Sequence, residues 1–209
     1  MAADDDAAIG LWSTGRDCYM LLAEAAGPAT RSLETGSGLS TVLLTALGAQ
    51  HTCVTPSHDE ARRIKAFCVA RGIDASSLTF RIGASDEVLP TLAGEPPLDL
   101  VFIDGGHGFP TPMIDWYYAG GRLRSDGLLV LDDVALPAVA QLCAFLDADP
   151  RFAADRRTAK WASYRRTGHG SLRQDWFEQP FFTPTSINWR DIPTRALRKA
   201  QRTLKGRVP

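Results

Sequence analysis

Residues that could carry chemistry stand where apolar segments of this sequence end. They form three groups: Glu34 before Gly36 and Gly38, Asp104 before His107, and Asp132 beside Asp133. Carboxylates and imidazoles can move protons or bind cations, and glycines let a ligand approach the backbone closely. Each group therefore has the residue types of a binding or catalytic site, provided that the fold brings the three together.

Strand and helix patterns alternate around these groups. Five strand patterns lie in residues 30–35, 51–55, 78–83, 98–108 and 127–134. The runs LVFI and GLLVL lack polar alternation, which is typical of strands buried on both faces, and an antiparallel strand pair follows residue 150. The pattern predicts an α/β fold with a Rossmann-like doubly wound sheet, mostly parallel with an antiparallel C-terminal strand pair. Such sheets bind ligands beyond the carboxyl ends of their strands, where all three groups lie.

Length and composition predict one ordinary globular domain. The 209 residues are expected to form a single domain with an N-terminal helical segment (1–29), a core (30–168) and a C-terminal extension (169–209). A net charge of -1 gives no argument for nucleic acid as a partner, and no apolar run approaches the ~20 residues of a membrane span. The four cysteines form no C-x-x-C motif, so we expect buried thiols in a reducing compartment. The acidic N-terminus is unlike a signal peptide, and a cytoplasmic location is therefore expected.

The glycine turn after the first strand admits two kinds of nucleotide-type ligand. A dinucleotide site would need the pattern G-x-G-x-x-G, but Thr41 stands at the third glycine position. It would also need an acid about 20 residues further on, where the second strand ends in Thr55. Glu34 would repel a pyrophosphate and would attract a ligand with an ammonium and a sulfonium group. An NAD-type oxidoreductase stays open as an alternative.

The stretch LETGSG resembles the first motif of class I S-adenosyl-L-methionine (SAM)-dependent methyltransferases, and the resemblance extends over residues 30–135. It implies SAM as the cofactor, with the glycines near its methionine part and ribose and the acid near its ammonium group. The cofactor-binding residues that the resemblance implies are Glu34, Thr35, Gly36, Ser37, Gly38, Ser85 and Asp104.

Two positions depart from the pattern of that family. Thr55 stands where the family usually has the acid that binds both ribose hydroxyls, so Asp59 or Glu60 would have to reach back to replace it. The sequence GAS at residues 83–85 stands where the family often has an aspartate near the adenine. These departures leave a non-catalytic nucleotide-binding module of the same fold as a second alternative.

The acids after the fourth and fifth strands resemble those of catechol O-methyltransferases and related sugar O-methyltransferases. In that branch such acids hold a divalent metal, so the resemblance implies Mg²⁺ bound by Asp104, Asp132 and Asp133. His107 stands where the catechol branch has a lysine as general base, which makes Asp104 and His107 the predicted catalytic residues. The implied reaction is methylation of a small-molecule or sugar hydroxyl that the metal activates.

Structural roles are the alternative for the same side chains. Asp104 could cap its own turn, and Asp132 and Asp133 could be a strand-end acid and a helix N-cap, in which case methyl transfer would need no metal. The remaining histidines show no ligand spacing and are expected in surface or loop positions: His51, His58 and His169.

The two ends of the chain are expected to cover the core. Trp12 and Arg16 are candidates for substrate contact, although packing against the sheet edge is the favoured role of Trp12. The aromatic-rich residues 169–190 are expected to wrap the core or a partner subunit, which allows a homodimer. The basic residues 194–207 are expected to form a docking helix rather than an arm for nucleic acid or an anionic surface.

Overall fold

The fold is given by a computed structural model that describes residues 13–168 and 172–180. Its strands are β1 Arg31–Thr35, β2 Gln50–Thr55, β3 Leu78–Ile82, β4 Leu98–Ile103, β5 Leu123–Leu131, β6 Phe152–Arg157 and β7 Ala162–Arg166. Its α-helices are α1 Arg16–Ala25, α2 Leu39–Ala46, α3 His58–Ala70, α4 Ser85–Val88, α5 Thr111–Ala119 and α6 Pro137–Ala148. Short 3-10 turns complete the described elements: Leu89–Leu92, Gly120–Arg122 and Trp176–Glu178.

The strands form one sheet in the order β3-β2-β1-β4-β5-β7-β6. Strands β1 to β5 are parallel to one another, whereas β7 is antiparallel to both β5 and β6. This architecture confirms the predicted Rossmann-like sheet with its antiparallel C-terminal pair. The chain moves outward from β1 to β3 and then returns to β4, so β1 and β4 flank the point of reversal where such sheets bind ligands.

The apolar strand β4 lies at the centre of the core. Its residues Leu100, Val101, Phe102 and Ile103 are at most 2% exposed. Because side chains alternate along a strand, Val101 and Ile103 pack in the cluster formed with α5 and α6, while Leu100 and Phe102 pack with α1 and α2. Helices therefore cover both faces, as the run LVFI predicts.

Strand β5 begins earlier than the sequence pattern indicates, at Leu123 rather than at residue 127. Asp126 and Gly127 look like a turn in the sequence, but Asp126 adopts a left-handed backbone (φ 65°) within the strand. The pairing of β5 with β4 shifts register near this point. A bulge of this kind absorbs extra residues without ending the strand.

The chain divides into two units, residues 1–173 and 174–209. The larger unit holds the sheet. In the described part of the second unit, the Asp175 N–H donates to the Glu178 carboxylate (3.4 Å) around a 3-10 turn. The prediction of a single domain over residues 1–209 stays a prediction. Other predictions concern residues outside the described ranges: Trp12, His169, residues 181–190 and the basic residues 194–207.

All four cysteines are buried and free, as predicted: Cys18, Cys53, Cys68 and Cys143. Arg16, a candidate for substrate contact, is exposed at the start of α1. No helix within the described ranges combines the length and the apolar character that crossing a membrane requires.

Candidate functional site

The carboxyl ends of β1, β4 and β5 bring the three predicted groups side by side. Backbone pairing with the neighbouring strand continues for one residue beyond the end of each strand. The N–H groups of Gly36, Asp104 and Asp132 donate to the carbonyls of Val54 (3.0 Å), Thr35 (3.0 Å) and Ile103 (3.1 Å), respectively. The sheet itself therefore positions the glycine turn and two of the acids.

Gly36 lies where a side chain would collide with the backbone that follows β4. Its φ is +95°, and a Cβ atom there would meet the Asp104 carbonyl oxygen and lie 2.8 Å from the carbonyl carbon. Gly38 differs, because its backbone is extended and a Cβ atom there would meet nothing within 4 Å. Gly36 thus lets the turn pack against β4, and Gly38 leaves the space beside the turn open.

Glu34 lies at the turn and is 1% exposed. Its Oε1 atom accepts a hydrogen bond from the Thr41 hydroxyl and lies 3.2 Å from His51 Nε2. The Thr41 hydroxyl accepts in turn from the Gly38 N–H (3.0 Å), so the residue at the third glycine position ties the turn to the acid. Glu34 is thus held by the protein's own hydrogen bonds, and its contact with an ammonium group stays a prediction.

His51 corrects an expectation, because it is neither a surface nor a loop residue. It is 1% exposed in β2, and its Nδ1 atom lies 2.8 Å from the Ser32 hydroxyl. The parallel register sets His51 opposite Ser32 on β1, and its Nε2 atom then faces Glu34. The overlooked signal is its spacing from Cys53, since residues two apart on a strand share a face and Cys53 is fully buried.

Glu60 supplies an acid at the end of β2, where the strand itself ends in Thr55. Ser57 caps α3 by accepting from the Glu60 N–H (3.1 Å), as the sequence pattern predicts. The Glu60 side chain then reaches back to the turn, and the Ser37 hydroxyl donates to its Oε2 atom (2.6 Å). Ser37 also lies within hydrogen-bond distance of the Thr55 hydroxyl (3.1 Å). The acid comes from the helix rather than from the strand.

A cavity of about 480 Å³ opens beside the glycine turn. Gly38 borders this cavity, and the other lining residues are both polar and apolar: Ser37, Glu60, Arg63 and Asp104 among the former, and Leu39, Val42, Ile64 and Phe67 among the latter. Leu39 and Phe67 are 48% and 42% exposed, so the apolar part is open to a ligand. The volume and the mixed lining are typical of a small-molecule site.

Asp104 stands among other negative charges. Burial, followed by the Asp132, Glu34 and Asp133 carboxylates, raises the pKa of Asp104 to about 8. His107 Nε2 lies 3.7 Å from Asp104 Oδ1 and 3.6 Å from Asp133 Oδ2. That nitrogen makes no hydrogen bond within the described residues. The imidazole therefore lies between two carboxylates, with its Nε2 atom buried and without a hydrogen bond among the described residues.

The structure brings together only part of the predicted metal set. Ligand atoms of Asp104, His107 and Asp133 lie within 4.8 Å of one another, and Asp132 is not part of this group. Asp132 is 1% exposed, and its Oδ1 atom accepts a hydrogen bond from the Thr14 hydroxyl (2.7 Å). The N-terminal segment, rather than a ligand, thus uses one of its two oxygens.

A lysine that the sequence analysis did not single out lies between the two acids that follow β5. The Lys160 ammonium is 2.6 Å from Asp133 Oδ1 and 3.3 Å from Asp132 Oδ2. A second cation placed between these carboxylates would be repelled at short range by the ammonium. The residues present therefore do not fit a divalent ion held jointly by Asp132 and Asp133.

The structure also shows a buried acid next to Ser85 that the sequence analysis missed. Asp115 on α5 is 0% exposed, and neither carboxylate oxygen makes a hydrogen bond of normal geometry within the described residues. The pKa of Asp115 is raised above its ordinary value by burial, and the nearby Ser85 and Thr35 hydroxyls offset only part of this effect. Two predicted cofactor residues therefore border a carboxylate with spare acceptor capacity. Its signal in the sequence is a lone acid within an apolar helical pattern.

This strand order, with a glycine turn after β1 and acids after β4 and β5, defines a class I methyltransferase fold. Residues 33–134 match the family model described as a methyltransferase domain. This match supports the family that the stretch LETGSG suggests.

Solved structures share the fold at low sequence identity. The O-methyltransferase TomG from Streptomyces achromogenes, in complex with SAM, is 18% identical with a TM-score of 0.64 over 78% of this chain and 86% of its own. The cofactor-bound Rv0187 from MTB is 22% identical with a TM-score of 0.66 over 79% and 86%. An O-methyltransferase from Bacillus cereus in complex with SAH is 16% identical with a TM-score of 0.64 over 78% and 86%. No curated protein sequence matches the chain.

Proposed function

We propose that this chain transfers the methyl group of SAM to a hydroxyl of a small molecule or sugar. The observation that carries the proposal is the glycine turn, where Gly36 packs on the Asp104 backbone and Gly38 leaves open a cavity whose lining includes the Glu60 and Asp104 carboxylates. A cationic cofactor would relieve the charge repulsion that contributes to the raised pKa of Asp104. The pyrophosphate of a dinucleotide would add to that repulsion instead.

The cofactor would lie along the turn and the neighbouring strand ends. Its proposed contacts are Glu34, Thr35, Gly36, Ser37, Gly38, Ser85 and Asp104, to which we add Glu60. The Glu60 carboxylate borders the cavity beside Ser37, so it can accept hydrogen bonds from the ribose hydroxyls in place of a strand-end acid. Ser85 offers a hydroxyl for the adenine end, with the buried Asp115 carboxylate beside it.

His107 is the proposed general base. SAM supplies a methyl group that its sulfonium already makes electrophilic, so the reaction needs no covalent enzyme intermediate. His107 Nε2 would take the proton of the acceptor hydroxyl, and the Asp104 and Asp133 carboxylates, 3.7 and 3.6 Å away, would stabilise the resulting imidazolium. Most of the remaining rate would come from holding the acceptor oxygen in line with the methyl group.

Replacing Glu60 with glutamine should weaken SAM binding about tenfold, because a neutral amide accepts weaker hydrogen bonds than a carboxylate does. Isothermal titration calorimetry with SAM measures the Kd. Asp59→Asn is the matched control, because Asp59 pairs with Arg62 on the exposed surface of the same helix. Equal Kd values for the wild type and Glu60→Gln would contradict the proposed role of Glu60.

Replacing His107 with glutamine should lower kcat by about 10²–10³ while leaving the Kd of SAM nearly unchanged, because only the proton-transfer step loses its base. Release of S-adenosylhomocysteine (SAH), measured over a panel of hydroxylated small molecules, identifies an acceptor for the assay. His58→Gln, at the exposed start of α3, is the control and should keep the wild-type rate. A His107→Gln rate within about threefold of wild type would exclude general-base catalysis by this residue.

A further inference from the structure

Lys160 lies in the turn between β6 and β7, and several hydrogen bonds fix that turn to the core. The Lys160 carbonyl accepts from the Val134 N–H (2.9 Å), just beyond β5. The Lys160 N–H donates to the Thr158 hydroxyl (3.1 Å). The next residue, Trp161, is 3% exposed, and its indole N–H donates to Asp17 on α1 (3.0 Å). The backbone of Lys160 is therefore held beside the end of β5.

The Lys160 ammonium forms ion pairs with both acids at that strand end. It lies 2.6 Å from Asp133 Oδ1 and 3.3 Å from Asp132 Oδ2. Asp132 Oδ2 is buried and makes no hydrogen bond of normal geometry within the described residues, so the ammonium is its compensating charge. The Thr14 hydroxyl occupies the other oxygen of Asp132. Removing the lysine would leave a fully buried carboxylate without a cation.

Asp133 connects this lysine to the proposed base. Its backbone is left-handed (φ 53°), a conformation that aspartate tolerates better than most residues do. Its Oδ1 atom faces Lys160, and its Oδ2 atom lies 3.6 Å from His107 Nε2. Lys160 is thus placed to act as a positioning residue, because it holds the carboxylate that faces the imidazole.

We propose that the Lys160 ammonium is a built-in counter-ion that takes the place of a divalent metal at Asp132 and Asp133, so that this chain works without such an ion. For its catalytic consequence the inference rests on the proposed methyl transfer. Its binding consequence does not, because the affinity of the protein for a divalent ion can be measured without SAM or an acceptor.

The test is a titration of the full chain with Mn²⁺, with free ion followed by electron paramagnetic resonance. Wild type should show no saturable site. Lys160→Met, which removes the charge and keeps an unbranched side chain, should create one site, because the repulsion from the ammonium is lost and the Asp132 Oδ2 and Asp133 Oδ1 atoms become free. The gain should be at least about 100-fold in apparent affinity. Lys160→Arg keeps the positive charge and should behave like wild type.

A second variant and a second measurement keep the test decisive. Lys160→Gln should gain the same site if Lys160→Met fails to fold, and the double variant Lys160→Met/Asp133→Asn should lose it. A single saturable Mn²⁺ site in wild type that Asp133→Asn abolishes would overturn the proposal, as would the absence of a new site in folded Lys160→Met. SAM titration in the presence of a chelator is scored separately: no SAM binding refutes the proposed function and leaves the Mn²⁺ result standing.

Discussion

Replacing Asp104 with asparagine should stabilise the free protein and remove most of its activity. Asp104 is half-buried beside three other carboxylates, and its partial burial, followed by these charges, raises its pKa to about 8. A neutral amide avoids this repulsion, so the free energy of unfolding near pH 8 should increase by about 1–2 kcal/mol. The same change removes the acid proposed to face the cationic cofactor, and kcat/KM should fall by about 10²–10³.

The pH dependence of stability gives a second measure of the same residue. The unfolded chain loses the Asp104 proton near the ordinary pKa of 3.8, whereas the folded protein keeps it up to about pH 8. Between these values the folded state binds more protons, so this group makes the protein less stable as the pH rises from about 4 to about 8. In Asp104→Asn, the free energy of unfolding measured with urea should fall less across this pH range than it does in the wild type.

A control for Asp104→Asn is Asp126→Asn. Asp126 is exposed, and asparagine tolerates its left-handed backbone, so neither stability nor its pH dependence should change. Asp104→Asn could instead be less stable than the wild type at pH 8, with a free energy of unfolding that falls with pH as steeply as in the wild type. That result would contradict charge repulsion at this site.

Replacing Gly36 with alanine should abolish SAM binding and cost about 3 kcal/mol of folding free energy. The residue has a φ of +95°, and a Cβ atom there would meet the Asp104 carbonyl group. Both partners in this collision are backbone, so relief would require the turn and the end of β4 to move apart. That movement would displace Gly38 and Asp104, which both line the cavity. Urea unfolding and SAM titration measure the two effects.

Two alanine variants separate packing from binding. Gly27→Ala and Gly38→Ala each place a Cβ atom that meets nothing within 4 Å, so both should fold with wild-type stability. Gly38 lines the cavity, and its added methyl group should weaken SAM binding, whereas Gly27→Ala should bind normally. If Gly36→Ala binds SAM as wild type does, the turn is not the cofactor site.

The sheet was predictable from the sequence because its central strands are buried on both faces. The run LVFI indicates this burial, since a strand without polar alternation needs helices on both faces of its sheet. The position of the acids follows from the same topology, because parallel strands end at one edge. The start of β5 was not predictable in this way, because Asp126 and Gly127 have the composition of a turn while the structure keeps them in a bulged strand.

The partners of the predicted residues were harder to foresee because they come from other elements. The capping pattern places Glu60 at the start of its helix, but it does not show that the side chain contacts Ser37, which lies 23 residues earlier in the sequence. Lys160 meets Asp133 across 27 residues, and only the return of β7 alongside β5 brings them together. His51 faces Glu34 because the β1–β2 register sets it inside the sheet. Contacts of this kind depend on register and strand order rather than on local pattern.

A crystal structure of the chain grown with SAH tests the proposed cofactor site most directly. The nucleoside should lie over residues 36–38, with its ribose hydroxyls bonded to the Glu60 carboxylate and its sulfur toward Asp104. A cavity without ligand density at saturating SAH, or SAH bound at another edge of the sheet, would contradict SAM-dependent methyl transfer at this site.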